Sequence, residues 1–142
     1  VHWPLVPLAF DHAVINGAND KCASHKCCGC AKNAERAPDG KTLIVAESYG
    51  ARLTAFAIED NGDLADRRTW AELPDARVPD GISLDSDGCI WAALPRSKEC
   101  IRLREGGEIT HRIVLDQGAF ACMLGGPNGD TLYVLTAASS DA

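Results

Sequence analysis

The sequence predicts an all-β fold of short antiparallel strands, and three observations support this prediction. First, one pattern occurs three times, as PDGKTLIVA at residues 38–46, SDGCIWAA at 86–93 and PNGDTLYVL at 127–135. Second, each copy joins an Asp-Gly or Asn-Gly turn, which tolerates positive φ, to a run of β-branched and aromatic residues. Third, the copies begin 48 and then 41 residues apart, a spacing typical of β-propeller blades. We therefore expect a propeller-like chain of about two to three blades.

The segments between the copies supply the remaining strands. Residues 52–58 alternate polar and apolar side chains and lead into the turn EDNGD at 59–63, as expected for a hairpin arm. Residues 100–104 alternate in the same way before the Gly106-Gly107 turn, and residues 108–115 follow as a further strand. About nine to eleven strands are expected, as two complete blades and part of a third. Because a closed ring needs about four to eight blades, open edges remain, and these favour self-association.

Residues 1–37 lack this pattern and form a separate segment, followed by the propeller-like residues 38–142. The segment shows neither strand alternation nor a helical stripe, so we expect it to be irregular. It contains His25 and four of the seven cysteines, Cys22, Cys27, Cys28 and Cys30. Imidazole and thiolates suit zinc, but structural zinc sites usually pair two knuckles a dozen or more residues apart, and this cluster supplies one. Zinc stays an alternative that the spacing argues against.

The three remaining cysteines are scattered through apolar segments. Cys89, Cys100 and Cys122 lie beside residues such as Ile, Trp, Ala and Met, which favours buried thiols. A nucleophilic Cys122 would need a histidine partner, and His111 lies in a strand where it should face outward.

The charge and the distribution of apolar residues argue against nucleic-acid binding, membrane insertion and secretion. The 142 residues include 14 Lys and Arg against 20 Asp and Glu, a net charge of −6 without basic blocks, so nucleic acid is not an expected partner. The apolar run at residues 3–10 is broken by Pro4 and Pro7 and is shorter than the roughly 20 residues of a membrane span. The first residues lack the basic start of a secretory signal. We expect a cytoplasmic protein with no membrane partner.

Residues 79–93, PDGISLDSDGCIWAA, resemble the gluconolactonase and senescence-marker-protein (regucalcin-like) family of six-bladed propellers. The runs APDGKTLIVAES at 37–48 and ACMLGGPNGDTLY at 121–133 are similar to the same family and stand in the same order. The resemblance covers residues 37–142, the C-terminal half of a typical member. It implies a sugar-lactone hydrolase that depends on a divalent metal, which is calcium, zinc, magnesium or manganese.

The resemblance assigns Asp80 as metal ligand and general base. From the residues alone, Asp80 either binds a divalent cation or accepts backbone hydrogen bonds in a turn, as Asp39 and Asp87 are expected to do. Family members also have an Asn-Gly one blade earlier, and the 48-residue offset places it at Lys32, one residue before Asn33. Because a one-residue slip turns a strand side chain to the opposite face, Asn33 is a metal ligand only if the local register has adjusted.

The resemblance also implies a glutamate metal ligand from the first blade and a substrate-binding Arg and Asn. These site residues have no counterpart in residues 1–37. We therefore expect a truncated member with impaired or absent lactonase activity. The alternative is a catalytically silent propeller fragment that binds partners through its open edge, and metal dependence distinguishes the two.

Overall fold

The computed structural model describes residues 31 to 138, and the side chains from Asn33 onward. The first sheet contains four strands, β1 (Ala31–Arg36), β2 (Thr42–Glu47), β3 (Arg52–Ile58) and β4 (Leu64–Glu72). The second contains β5 (Ile82–Leu84), β6 (Ile90–Leu94), β7 (Glu99–Leu103) and β8 (Ile109–Val114). The third contains β9 (Gly118–Gly125) and β10 (Thr131–Ala137). We call these sheets the first, second and third blades.

The described residues therefore confirm the all-β prediction and its division into two complete blades and part of a third. Neighbouring strands pair antiparallel in every blade. The three repeated turns place Gly40, Gly88 and Gly129 at φ values of +69°, +75° and +71°, a conformation that glycine adopts without a Cβ clash. Helical structure within residues 31 to 138 is limited to two 3-10 turns, and no helix there has the length and apolar character of a membrane span.

The expectation that residues 1–37 are irregular is wrong for the last of them. Residues Ala31–Arg36 form β1, which pairs with β2 from Asn33 opposite Ala46 to Arg36 opposite Leu43. The sequence AKNAER lacks β-branched and aromatic residues, so its strand depends on pairing with β2 rather than on local propensity. The cysteine cluster and the rest of this segment lie outside the described residues.

The core lies mainly between the first and second blades. Its largest fully buried side chains include Leu53 from the first blade and Ile90, Leu94, Ile101 and Leu103 from the second. Burying one such side chain contributes about 1.5–3 kcal/mol to the free energy of unfolding. A smaller cluster of Ala93, Cys100, Ala119 and Cys122 joins the second blade to the third. The stacked blades therefore hold the ends of their inner strands in fixed relative positions.

Candidate functional site

Asp80 lies just before β5 and is positioned by backbone hydrogen bonds. Its N–H donates to the carbonyl oxygen of Ala93 at 2.9 Å, and the Ala93 N–H donates to Gly81 O at 2.8 Å. These bonds extend the pairing between β5 and β6 back to Asp80. The strand itself begins at Ile82, but the backbone at Asp80 is already held by β6.

Gly81 brings the third blade close to Asp80. Its N–H donates to Phe120 O on β9 at 3.0 Å. A Cβ atom at this position would lie 2.6 Å from the Cα of Ala121, a distance that real Cβ atoms essentially never show. Glycine is therefore required for the close approach of β9 to the start of β5.

Asn33 reaches Asp80 from the start of the regularly paired part of β1, directly after a β-bulge. Ala31 pairs with Glu47 and Asn33 pairs with Ala46, which leaves Lys32 as the extra residue. From Asn33 opposite Ala46 to Arg36 opposite Leu43, the pairing with β2 is regular. The Nδ2 atom of Asn33 donates to the Oδ1 atom of Asp80 at 3.4 Å, a long hydrogen bond. The structure thus brings the two candidate metal ligands together, and their binding of a metal stays a prediction.

The donor chemistry of this pair fits a hard divalent cation in part. Carboxylate and amide oxygens are the ligands that calcium and magnesium prefer, and calcium takes about six to eight of them. Asp80 and Asn33 supply two side chains of this kind. Within residues 31 to 138 there is no group of three or more His, Cys, Asp and Glu side chains that could hold a metal.

A cavity of about 340 Å³ opens beside Asp80, within the range of small-molecule sites. Its lining includes Tyr49 after β2, Arg96 and Lys98 in the β6–β7 turn, and Phe120 on β9. None of these four residues was singled out from the sequence. The available signal is topological, because the end of β6 lies beside the start of β5 in an antiparallel pair.

Glu35 is a further titratable residue on the inner strand β1. It is half-buried, and burial raises its pKa to about 7, although a hydrogen bond with the backbone of Leu84 opposes the rise. Leu84 is at the end of β5 away from Asp80. Glu35 therefore lies further along the strand and does not line the Asp80 cavity.

The described cysteines are buried, as the sequence indicated. Cys89, Cys100 and Cys122 are free thiols, and each is less than a tenth exposed. The pKa of Cys122 is raised by its hydrogen bond with Cys100 and by burial, so Cys122 stays protonated and is a poor nucleophile. His111 is exposed on β8, which agrees with its expected outward position.

The aspartates in the turns differ from expectation in one case. The Asp39 carboxylate accepts the N–H of Lys41 at 2.8 Å, as expected. In the next repeat, however, Asp85 accepts the N–H groups of Asp87 and Cys89, each at 2.9 Å. The expectation for Asp87 is therefore wrong, because the turn begins two residues earlier and its first residue makes these bonds.

The comparisons with known proteins agree with this architecture. The family model of the SMP-30/gluconolactonase/LRE-like region matches residues 29–138. This chain belongs to that family. The match begins before residue 37, where the resemblance was expected to start, and therefore includes β1 and Asn33. The strand β1, with its bulge, therefore lies within the SMP-30/gluconolactonase region of this chain.

Individual relatives are similar over part of their length. Regucalcin from Xenopus laevis is 31% identical over 104 residues, which are 70% of this chain and 34% of regucalcin. A gluconolactonase structure from Xanthomonas campestris has a TM-score of 0.64 and 28% identity, with coverage of 75% of this chain and 34% of that one. A calcium-binding regucalcin from Agrobacterium tumefaciens has a TM-score of 0.68 and 19% identity, covering 78% and 39%, which shows the fold alone. The chain thus spans a third or slightly more of each relative.

Proposed function

We propose that this chain supplies the general base and two metal ligands of a divalent-metal-dependent sugar-lactone hydrolase. The observation that supports this most directly is the Asn33–Asp80 pair, hydrogen-bonded at 3.4 Å with Asp80 lining a cavity of about 340 Å³. The similarity to a gluconolactonase, at 28% identity over three quarters of this chain, supports the same reaction class.

Asp80 has the chemistry that lactone hydrolysis needs. Its Oδ1 atom accepts the Asn33 hydrogen bond, and Oδ2 has no hydrogen-bond partner within the described part of the chain. Oδ2 is therefore available to accept the proton of a water that attacks the lactone carbonyl, and to return this proton to the ring oxygen as the ring C–O bond breaks and a hydroxy acid forms. Asp80, and Asn33 through its amide oxygen, would hold the divalent cation. When bound, this cation polarises the carbonyl.

The test measures glucono-1,5-lactone hydrolysis in a pH-stat, with and without a chelator. Asp80→Asn should lower the rate by a factor of about 10² to 10⁴, because an amide can approach a metal but cannot accept the proton. Chelation should abolish hydrolysis by the unmodified chain. Asp39→Asn is the matched control, because an Asn side chain can accept the same Lys41 hydrogen bond, and its rate should not change.

Two results would contradict the proposal. One is a rate that responds neither to chelation nor to Asp80→Asn. The other is an equal loss in both variants, which would indicate perturbed folding, and circular dichroism of each variant would show it.

A binding module without catalysis is the second candidate. It is favoured by the open third blade, where Met123 is 52% and Leu135 is 60% exposed. Chelator-independent stability together with absent lactone hydrolysis would support it.

A further inference from the structure

Arg96 differs from the other arginines of the described chain. Residues 31 to 138 contain nine arginines, and eight donate hydrogen bonds to carboxylates or backbone carbonyls: Arg36, Arg52, Arg67, Arg68, Arg77, Arg102, Arg104 and Arg112. Arg96 is exposed and makes no hydrogen bond or ion pair with any residue in this range. Its guanidinium group is therefore available to a ligand.

Arg96 lies beside the candidate site. It is in the turn between β6 and β7 and lines the same cavity as Asp80. Lys98 lines the cavity as well, and its Nζ donates to the neutral carbonyl oxygen of Asp116 at 3.3 Å. Two positive charges thus face one carboxylate in this cavity. A metal ion on Asp80 would increase the positive excess.

The chemistry of the guanidinium group indicates what it binds. Arginine presents a planar set of N–H donors that matches the oxygens of a carboxylate or a phosphate. A neutral sugar lactone has no such group, so Arg96 would stay hydrated beside it. Phe120 and Pro79 give the cavity an apolar side against which a sugar ring can lie.

We propose that Arg96 determines specificity for a sugar lactone that bears an anionic group, either a carboxylate or a phosphate, in addition to its lactone carbonyl. This inference rests on the proposed lactonase function for the lactone part of the ligand. The anion-binding part rests on Arg96 alone and can be tested without catalysis.

The test is calorimetric titration of the chain with three open-chain sugar derivatives: glucitol, which has no charged group, gluconate, which has one carboxylate, and glucitol 6-phosphate. The unmodified chain should bind gluconate or glucitol 6-phosphate roughly 10- to 100-fold more tightly than glucitol, as expected for one charge-assisted pair. Which of the two anions binds more tightly distinguishes carboxylate from phosphate. Arg96→Gln should remove the preference for the anions over glucitol.

Arg104→Gln is the matched control. Arg104 is 59% exposed, pairs with Glu108 and does not line the cavity, so its variant should keep the preference. Equal affinity of the unmodified chain for the uncharged and the anionic compounds would overturn the proposal, as would a preference that survives Arg96→Gln. A preference that depends on Arg96, in a chain that hydrolyses no lactone, would support anion recognition and contradict the proposed lactonase function. Lactone hydrolysis by a chain that shows no preference for an anion would support the proposed lactonase function and contradict anion recognition by Arg96.

Discussion

Asp85 connects the β5–β6 turn to a neighbouring strand of the second blade. Its carboxylate accepts two backbone N–H groups of the turn, and it also accepts the Nε hydrogen bond of Arg102 on β7 at 2.6 Å. Both side chains are 11% exposed. Burial would raise the pKa of Asp85, but the hydrogen bonds from Arg102 and the backbone more than offset this effect, so the pKa is lowered. The charged carboxylate therefore stabilises the folded state.

Asp85→Asn should lower the free energy of unfolding by about 1.5–3 kcal/mol, because it removes a charge-assisted hydrogen bond and leaves Arg102 without its buried partner. Asp87→Asn should change it by less than about 0.5 kcal/mol, because the Asp87 side chain in its pair with Arg102 is 76% exposed. Urea unfolding at neutral pH, followed by tryptophan fluorescence, measures both. Equal effects of the two substitutions would contradict the conclusion that Asp85, and not Asp87, is the stabilising partner of Arg102.

The pH dependence of the Asp85→Asn effect has a definite sign. A carboxylate whose pKa is lower in the folded state stabilises that state above its ordinary pKa of 3.8, and the stabilisation is lost as the pH falls through the folded value. The difference between the unmodified chain and Asp85→Asn should therefore shrink as the pH is lowered from neutral to below 3.8. A difference that stays constant over this interval would contradict the charge-based explanation.

At the scale of elements, the contact between β5 and β9 depends on Gly81. Gly81→Ala places a Cβ 2.6 Å from the Ala121 backbone, so the second and third blades must separate locally. We expect a loss of more than about 2 kcal/mol in the free energy of unfolding, together with reduced exchange protection of the backbone amide at position 81.

Gly129→Ala is the control for this substitution. Gly129 has a φ of +71°, and a Cβ added there would have no neighbouring atom within 4 Å, so its substitution introduces backbone strain of about 1–2 kcal/mol without a steric clash. Loss of exchange protection at the position 81 amide in Gly81→Ala but not in Gly129→Ala would support the close contact. The same exchange pattern in both variants would contradict it.

Elements with a local signal could be predicted from the sequence, and elements that depend on pairing could not. The turn-strand repeats predicted β2, β6 and β10, because an Asp-Gly or Asn-Gly turn fixes the hairpin locally. The alternation in residues 52–58 likewise predicted β3. In contrast, β1 is polar and gains its strand structure from hydrogen bonds to β2.

The candidate site follows the same division. Asp80 was identified from a contiguous motif. The contact of Asn33 with Asp80 depends on the pairing of β1 with β2 and on the packing of the first blade against the second, which no local pattern indicated. Arg96 was missed because its cavity is lined by residues of all three blades, so the site exists only after the blades have packed together.

At the scale of the whole molecule, the third blade leaves an apolar face exposed. Met123 and Tyr133 are directly opposite each other in the β9–β10 pair, and Leu135 follows on the same face. Their exposed fractions are 52%, 38% and 60%. The other face of this pair, with Cys122 and Val134, packs against the second blade. In the sheet described by residues 118 to 137, β10 also has one edge without a neighbouring strand.

An exposed apolar face beside an unpaired strand edge favours association with a second copy of the chain, because both backbone hydrogen bonds and apolar area are gained. The chain should therefore sediment as a mixture of monomer and dimer or larger species whose proportions depend on protein concentration. Leu135→Lys should shift this equilibrium toward monomer by at least about tenfold, since a lysine at an edge strand opposes pairing. Ser86→Lys introduces the same charge in the exposed β5–β6 turn and should leave the equilibrium unchanged. Sedimentation velocity distinguishes these outcomes: a chain that is monomeric at every concentration, or variants that respond equally, would show that the third blade is not the contact surface.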